Sequence, residues 1–310
     1  MIIRYPIART VSLVTFCFTI LFIFSIHTLA QEPLTAEPKT PDPVPTPTPR
    51  PANELEKKFF VNLLQDQGAI WTSPFHLVRG DAKWGIPLTV SAAALFATDR
   101  HTSGALVENG DNLSRLRISN DISQLGAFYT TGGIAAGFYI AGRATHNVRA
   151  RETGVLAAEA LLNSSIVVEA LKTVSQRQRP PTDNSSGEFF DGGSSFPSGH
   201  AISAWALATV IAEEYGQHRP WMRFGLYGLA TAVAVSRYTG RNHFLSDVLL
   251  GSAMGYGIGR YVYHQHHDPT LDSLSDKHTN GFIHSKLFPS FAPLYNAQAH
   301  SYGATLAWAF

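Results

Sequence analysis

Hydrophobic residues recur at helical spacing in seven stretches of the chain. Apolar side chains at every third or fourth position mark one buried face of an α-helix. The predicted helices cover residues 55–64, 84–98, 122–144, 152–178, 198 or 199 to about 215, 220–238, and 243–264. No alternating strand pattern of any length interrupts this series. The sequence therefore predicts an all-α fold, a bundle of about six or seven helices.

Local signals set several of the predicted helix ends. Ser119 or Asn120 could cap the third helix, since short polar side chains accept hydrogen bonds from the first free N–H groups. Pro180-Pro181 stops the fourth helix, because proline cannot continue the hydrogen-bonded ladder. Pro220 suits the first turn of the sixth helix, where no backbone N–H is needed.

The two ends of the chain differ from this helical body. Residues 1–30 begin with Arg4 and Arg9 and continue into an apolar run, which is typical of a signal peptide or of a membrane anchor through residues 11–26. Proline recurs through 31–52, which predicts an extended spacer. The helical body would then span 53–267. In the tail, 268–310, alternating apolar residues predict a small β-hairpin. The expected location is outside the cytoplasm, in the periplasm or cell envelope.

Composition limits the range of partners. The formal net charge of the 310 residues is +1, which argues against a general polyanion binder such as a nucleic-acid-binding protein. Most predicted helices hold only about 12 to 15 uncharged residues in a row, fewer than a membrane span needs. Gly251, Gly255 and Gly259 form a small-residue stripe that suits close helix packing. The same stripe would also suit helix packing in a membrane-spanning bundle, which stays open. On the length of the uncharged runs we expect a soluble or membrane-surface bundle.

Three segments combine charged residues, histidines and a glycine-serine turn. The first has Lys172 and, seven positions on, Arg179-Pro180; the second is Pro197-Ser198-Gly199-His200. The third runs from Ser236-Arg237 through His243 to Asp247. Each segment alone has an ordinary structural interpretation, such as a solvated helix face or a loop entering a helix. Their occurrence together, in order, indicates a common site.

The cations of these segments suit a phosphoryl group. Lys172 and Arg179 would lie two helical turns apart and share a face. Arg179 and Arg237 can each bind pairs of phosphate oxygens, and Lys172 supplies a compact charge. Ser198 and Gly199 open a helix, where free backbone N–H groups receive another oxygen. The sequence predicts a phosphate-binding pocket built from these five residues.

Two histidines and a carboxylate provide the chemistry. His243 and Asp247 are one helical turn apart, so Asp247 could fix the imidazole tautomer and leave the other nitrogen free to attack phosphorus. His200 could protonate the departing oxygen and later activate water. We predict His243, His200 and Asp247 as the catalytic residues, with a phosphohistidine intermediate.

These segments resemble the three-part signature of the type 2 phosphatidic acid phosphatase superfamily, with every signature position filled. This family includes lipid phosphate phosphatases, class A acid phosphatases and vanadium-dependent haloperoxidases. The resemblance implies a helical phosphatase without metal or other cofactor, for which vanadate is a phosphate analogue. It implies the same roles for His243, His200 and Asp247, and phosphate binding by Lys172, Arg179, Ser198, Gly199 and Arg237. A phosphorylated lipid or a small organic phosphate would be the substrate.

Two other functions stay open at this point. A vanadium haloperoxidase would hold vanadate at the same residues, and a non-catalytic envelope protein would bind lipid headgroups through the same cations. Phe189, Phe190 and Phe196 could accept an apolar tail or only pack together.

Several neighbouring residues have simpler interpretations. Arg177 and Arg241 either extend the positive field or are solvated. His264, His266 and His267 are interpreted as a polar helix end and not as a metal tract, because no acidic cluster lies beside them in the sequence. Glu213-Glu214 is interpreted as a solvated face.

Overall fold

The fold is described from a computed structural model of the chain, over residues 54–76, 78–108, 113–180, 187–217 and 219–271, and over the backbone of two strands near the C-terminus. The described part of the chain holds eight α-helices. They are α1 (Glu54–Thr72), α2 (Ala82–Glu108), α3 (Leu113–Ser123), α4 (Phe128–Ala144), α5 (Val148–Ser175), α6 (Gly199–Tyr215), α7 (Pro220–Thr239) and α8 (Leu245–His266). The all-α prediction is confirmed. The predicted signal segment and spacer lie outside the described residues.

The predicted helix 122–144 is wrong at its start, because the structure divides this stretch. α3 ends at Ser123, a 3-10 turn covers Gln124–Gly126, and Ala127 is extended before α4 begins. Ser119 and Asn120 thus lie inside α3 and not at a helix start. A Cβ on Gly126 would lie 2.7 Å from the carbonyl oxygen of His200. The break therefore brings the backbone at Gly126 against the start of α6.

Helix α5 ends at Ser175, three residues before the predicted end. Gln176 takes a left-handed conformation with φ of 44°. The backbone N–H of Phe190 donates to the carbonyl of Ser175 at 2.8 Å, and that of Ser195 donates to the carbonyl of Arg177, also at 2.8 Å. Pairing with this later loop replaces the helical hydrogen bonds. The expectation that Lys172 and Arg179 share a helix face is therefore wrong, since Arg179 lies beyond the helix.

Helices α5, α6 and α8 form the centre of the molecule. Their buried apolar side chains include Leu156 and Leu161 of α5, Ile202 of α6, and Val262 of α8. α8 packs closely on α6 through the small-residue stripe: a Cβ on Gly255 would lie 2.3 Å from the Ile202 carbonyl oxygen. This close approach confirms the predicted role of the stripe in helix packing. It also fixes the start of α6 against the start of α8.

The C-terminal tail contains the two predicted strands. β1 (Ser290–Asn296) and β2 (Ser301–Ala307) pair antiparallel, with Ser290 opposite Ala307 and Asn296 opposite Ser301. The described part of the tail thus agrees with a small β-hairpin.

One described helix is long and apolar enough to cross a membrane by length and composition. It is α5, with a mean hydropathy of 1.5 in its most apolar window, of which 61% is buried inside the protein. Burial of that extent is also expected for the central helix of a bundle, so length and hydropathy alone do not assign α5 to a membrane.

Candidate active site

The start of α6 provides groups for binding an anion. Ser198 precedes the first residue of α6, and its side chain makes no capping hydrogen bond. Its hydroxyl oxygen is buried and has no hydrogen-bond partner within the described residues. Leaving a buried hydroxyl unpaired costs free energy, and an anion bound at the helix start would satisfy it. The structure thus gives Ser198 and Gly199 the geometry expected from the sequence.

The three predicted cations converge on His200, the second residue of α6. Burial is the largest cause that lowers the pKa of His200, and with the charges of Arg237, His243, Lys172 and Arg179 it brings that pKa to about 4. The Nζ atom of Lys172 lies 3.8 Å from the position that a Cβ on Gly199 would take. The charge of Arg179 acts on both His200 and Arg237, although Arg179 lies outside α5.

Arg237 approaches this pocket from the last turn of α7. It is 7% exposed, and its Nε atom has no hydrogen-bond partner within the described part of the chain. Burial lowers its pKa to about 10, helped by the charge of Arg179. The charge of Arg179 thus acts on the buried Arg237, and an anion in the pocket would be attracted by both arginines.

His243 lies before α8 and not inside it, because α8 starts at Leu245. The imidazole is buried, and its Nδ1 lies 2.7 Å from the backbone carbonyl oxygen of Ser195. A carbonyl can only accept a hydrogen bond, so Nδ1 carries the proton. Burial is the main cause that lowers the pKa of His243. The neutral ring therefore keeps the lone pair on Nε2, as a nucleophile requires.

Asp247 contacts His243 less directly than the spacing predicts. Its Oδ2 lies 3.8 Å from Nδ1 of His243, and accepts hydrogen bonds from the Ser195 hydroxyl at 2.6 Å and from the Phe244 N–H at 3.0 Å. Burial alone would raise the pKa of Asp247, but His243, Arg177 and Ser195 together hold it below its usual value. The prediction that His243 and Asp247 lie one turn apart on the same helix is wrong. Asp247 nevertheless stabilises the segment that carries His243, through its hydrogen bonds to Ser195 and Phe244.

The position of the Arg177 side chain at the site was not predicted from the sequence. Its side chain is 2% exposed. Nη1 donates to Asp247 Oδ1 at 2.5 Å and to the Ser246 hydroxyl at 2.7 Å, and Nη2 donates to Asp99 Oδ2 at 2.8 Å. Arg177 therefore neither extends the pocket field nor faces solvent. It instead forms a buried ion pair with the Asp247 carboxylate.

Asp99 completes this buried network from α2. It is 1% exposed, and its Oδ1 accepts a hydrogen bond from the Ser246 N–H at 3.3 Å. Burial raises its pKa despite the hydrogen bonds from Ser246 and Arg177. Nothing in its local sequence signals this position, because its partners lie about 80 to 150 residues away in the chain.

Aromatic rings cover the outer side of the Arg177 guanidinium. The Cζ atom of Arg177 lies 5.0 Å from the ring centroids of both Phe96 and Phe189, and 4.3 Å from that of Phe244. Phe189 also packs on Phe196 with centroids 6.2 Å apart, while Phe190 is 77% exposed. Of the three phenylalanines considered from the sequence, Phe190 is thus the most accessible to a ligand.

The pocket as a whole is suited to an anion. Its facing side chains are three cations, a hydroxyl and two neutral imidazoles, which do not form the carboxylate-rich shell of a metal ion that binds phosphate. The structure brings together every residue predicted from the sequence, and adds Arg177, Asp99 and Ser195 behind His243 and Asp247.

Three known proteins are similar to parts of this chain. The chain is 41% identical over 69 residues to lipid A 1-phosphatase of Porphyromonas gingivalis, a match that covers 22% of this chain and 16% of that protein. Among solved structures, a transmembrane PAP2-type phosphatidylglycerolphosphate phosphatase of Bacillus subtilis is similar, with 21% identity, a TM-score of 0.44, and coverage of 67% of this chain and 94% of that one. LpxE of Aquifex aeolicus is similar at 19% identity and a TM-score of 0.41, covering 53% and 93% of the two chains.

A family model matches the part of the chain that contains the site. The model described as the PAP2 superfamily matches residues 153–271, which include α6, α7 and α8 and all eight predicted site residues. The resemblance found in the three sequence segments is therefore confirmed over residues 153–271, which match the PAP2 superfamily.

Proposed function

We propose that this protein is a phosphatase that hydrolyses a phosphorylated lipid through a phosphohistidine intermediate. The observation that carries the proposal is the pocket around His200, where Lys172, Arg179 and Arg237 converge beside the unpaired hydroxyl of Ser198. A protein catalyses phosphoryl transfer mainly by positioning the phosphoryl group and stabilising its negative charge.

The proposed first step is attack by Nε2 of His243 on phosphorus. The N–P bond forms as the bond to the leaving oxygen breaks, and His200 gives that oxygen its proton. The Nδ1–H of His243 stays on the Ser195 carbonyl, so the positive charge that develops on the ring is shared with Ser195 and Asp247. In the second step His200 accepts a proton from water, which attacks phosphorus and releases inorganic phosphate and neutral His243.

His200 becomes a competent acid only when substrate is bound. Its pKa of about 4 in the free protein leaves it neutral at pH 7. A phosphate group with close to two negative charges would offset Arg237, Lys172 and Arg179, and would raise the pKa of His200. Proton uptake is thus coupled to substrate binding in this proposal.

A lipid substrate is favoured by the apolar surface of the protein. Large hydrophobic side chains are exposed on several helices and beside the site, among them Phe60 at 75%, Trp221 at 72% and Phe190 at 77%. Exposed apolar side chains of this size suit a lipid surface. The P. gingivalis relative is named for a lipid phosphate substrate, which supports the same class.

Several further features belong to the same proposal. We propose that residues 1–30 direct export, so that the pocket faces the periplasm or envelope, and that 53–267 is the catalytic domain. No metal is needed for turnover, since the pocket cations take the role that a metal ion has in other phosphatases.

The test is release of inorganic phosphate by the full-length protein. We expect hydrolysis of a long-chain lipid phosphate in detergent micelles, at a higher kcat/KM than for glycerol phosphate. Turnover should survive EDTA and be inhibited by vanadate, and the His243→Ala variant is the matched inactive control.

Two other outcomes would contradict the proposal. Bromide oxidation by peroxide with added vanadate, without phosphate release, would identify a haloperoxidase instead. Binding of lipid phosphate without either reaction would indicate a headgroup-binding protein.

A further inference from the structure

Three acidic and basic side chains form a buried cluster at the far end of α8. We call Asp66 of α1, Glu159 of α5 and His266 of α8 the His266 cluster. Their ligand atoms all lie within 4.8 Å of one another. No acidic cluster lies beside the histidines at the end of α8 in the sequence, but the fold brings two carboxylates to His266 from helices distant in the chain.

The spacing of the donor atoms suits one small divalent cation. Nε2 of His266 lies 2.9 Å from Asp66 Oδ1 and 3.7 Å from Glu159 Oε1. Ligand atoms about 2.0–2.2 Å from a shared ion lie roughly 3.0–3.5 Å from each other. The observed separations bracket that range, so small side-chain adjustments would bring all three atoms to one ion.

Glu159 is the observation that points to a ligand. It is 0% exposed, and neither carboxylate oxygen has a hydrogen-bond partner within the described residues. Burying a carboxylate whose oxygens accept no hydrogen bond is very costly unless a proton or a cation compensates its charge.

Asp66 is oriented as metal-binding carboxylates usually are. Its Oδ2 accepts a hydrogen bond from the Asn163 amide at 3.0 Å, which leaves Oδ1 turned toward His266. Asn163 is held in turn by the amide of Gln67 at 2.7 Å. Such supporting hydrogen bonds fix the direction of ligand atoms around a metal.

We propose that Asp66, Glu159 and His266 bind a divalent transition-metal ion of the Zn²⁺ or Mn²⁺ class that stabilises the fold. A nitrogen donor together with two carboxylates favours these ions over Mg²⁺ and Ca²⁺, which prefer oxygen alone. The ion ties α1 to α5 and α8. Glu159 lies 13 residues before Lys172 on α5, about 20 Å along the helix axis. The site is therefore separate from the phosphate pocket and has no part in turnover.

The neighbouring cluster of Glu152, Glu214 and His267 provides an internal contrast. His267 Nδ1 lies 2.9 Å from Glu152 and 3.3 Å from Glu214, and Arg149 pairs with Glu214 at 3.2 Å. Hydrogen bonds to the two carboxylates outweigh burial and raise the pKa of His267 to about 10. Positive charge already compensates these carboxylates, so we assign no metal there.

The experiment uses the full-length protein, stripped with EDTA, dialysed, and then titrated with Zn²⁺, Mn²⁺ or Mg²⁺. We expect about one retained equivalent of Zn²⁺ by elemental analysis, and a rise in Tm of about 5 °C at a hundredfold excess over Kd. The nearly isosteric Glu159→Gln variant should lose both effects. Glu152→Gln, a buried carboxylate one heptad away on the same helix, should keep both.

Three results would overturn the proposal. They are no retained Zn²⁺ in the wild type, an equal rise in Tm for Glu159→Gln, or stabilisation by Mg²⁺ alone. If Glu159→Gln does not fold, His266→Gln replaces it with the same expected loss. Neither readout uses turnover, so failure of the proposed phosphatase activity leaves this test unaffected.

Discussion

His200 meets two opposing requirements at the same position. It must lie among the cations that bind phosphate, and those charges, added to burial, lower its pKa to about 4. As the acid, it must nevertheless hold a proton when the leaving group departs. Only the charge of the bound phosphate reconciles the two requirements. The role of His200 should therefore depend on how much the leaving group needs a proton.

Replacing His200 with Ala should affect two substrates differently. With an alkyl phosphate we expect kcat/KM to fall by about 10²- to 10⁴-fold, because the alkoxide needs a proton. With p-nitrophenyl phosphate, whose leaving group is stable as an anion, the loss should be less than about tenfold. The measurement is the ratio of the two kcat/KM values in wild type and variant. Equal losses would show that His200 binds phosphate or supports His243.

Residue types were easier to predict than residue positions. The eight signature residues were identified because each belongs to a short motif with fixed spacing. Arg177 lies between Lys172 and Arg179 and carries the same charge, so charge gave no sign that it points away from the pocket toward Asp99 and Asp247. Its orientation depends on α2 and on the Ser195 loop, whose approach local sequence does not encode.

At the scale of elements, helix ends decide the site. α5 stops at Ser175, α6 starts at Gly199, α7 ends at Thr239 and α8 starts at Leu245, so four helix ends meet near the pocket. Periodicity predicted the helices themselves. It failed at Ile122, where hydrophobic spacing continues across the break at Gly126, and at Gln176, where loop pairing ends the helix before the prolines do.

The close contact between α6 and α8 can be tested at two glycines of one helix. A Cβ on Gly255 would lie 2.3 Å from the Ile202 carbonyl oxygen, whereas a Cβ on Gly257 would meet nothing within 4 Å. Gly255→Ala should lower the free energy of unfolding by about 1–3 kcal/mol through overpacking. Gly257→Ala is the matched control and should raise it by about 0.5–1 kcal/mol. The measurement is denaturant unfolding, and equal effects at both positions would contradict the packing described.

Buried carboxylates are a property of the whole molecule. Asp66, Glu152, Glu159 and Glu214 come from three helices and meet His266 and His267 at the end of α8. The interpretation of Glu213-Glu214 as a solvated face is wrong, since they are 5% and 0% exposed. Charged residues are usually exposed, and nothing in the sequence shows which ones long-range packing will pair. This tertiary feature therefore required the structure.

The ion pairs of His267 predict how stability depends on pH. The folded pKa of about 10 exceeds the unfolded value near 6.5, so the folded state holds the extra proton between these values. This contribution is complete below about pH 6.5 and is lost as pH rises toward 10. The free energy of unfolding should fall over this window, by at most about 1.4 kcal/mol per pH unit from this group. In the His267→Gln variant, the free energy of unfolding measured with urea should fall less steeply with pH over this window. The same dependence on pH as in the wild type would contradict the assignment.

The central claim is that His243 carries the phosphoryl group during turnover. The most direct measurement is to quench the full-length protein in mild base during turnover of a ³²P-labelled substrate and to locate the label by peptide mapping. We expect base-stable, acid-labile phosphate on the peptide containing His243, and none in the His243→Ala variant, because Nε2 of this ring is the only atom assigned to attack phosphorus. Label that persists in His243→Ala, or a wild-type enzyme that turns over without labelling His243, would contradict the mechanism.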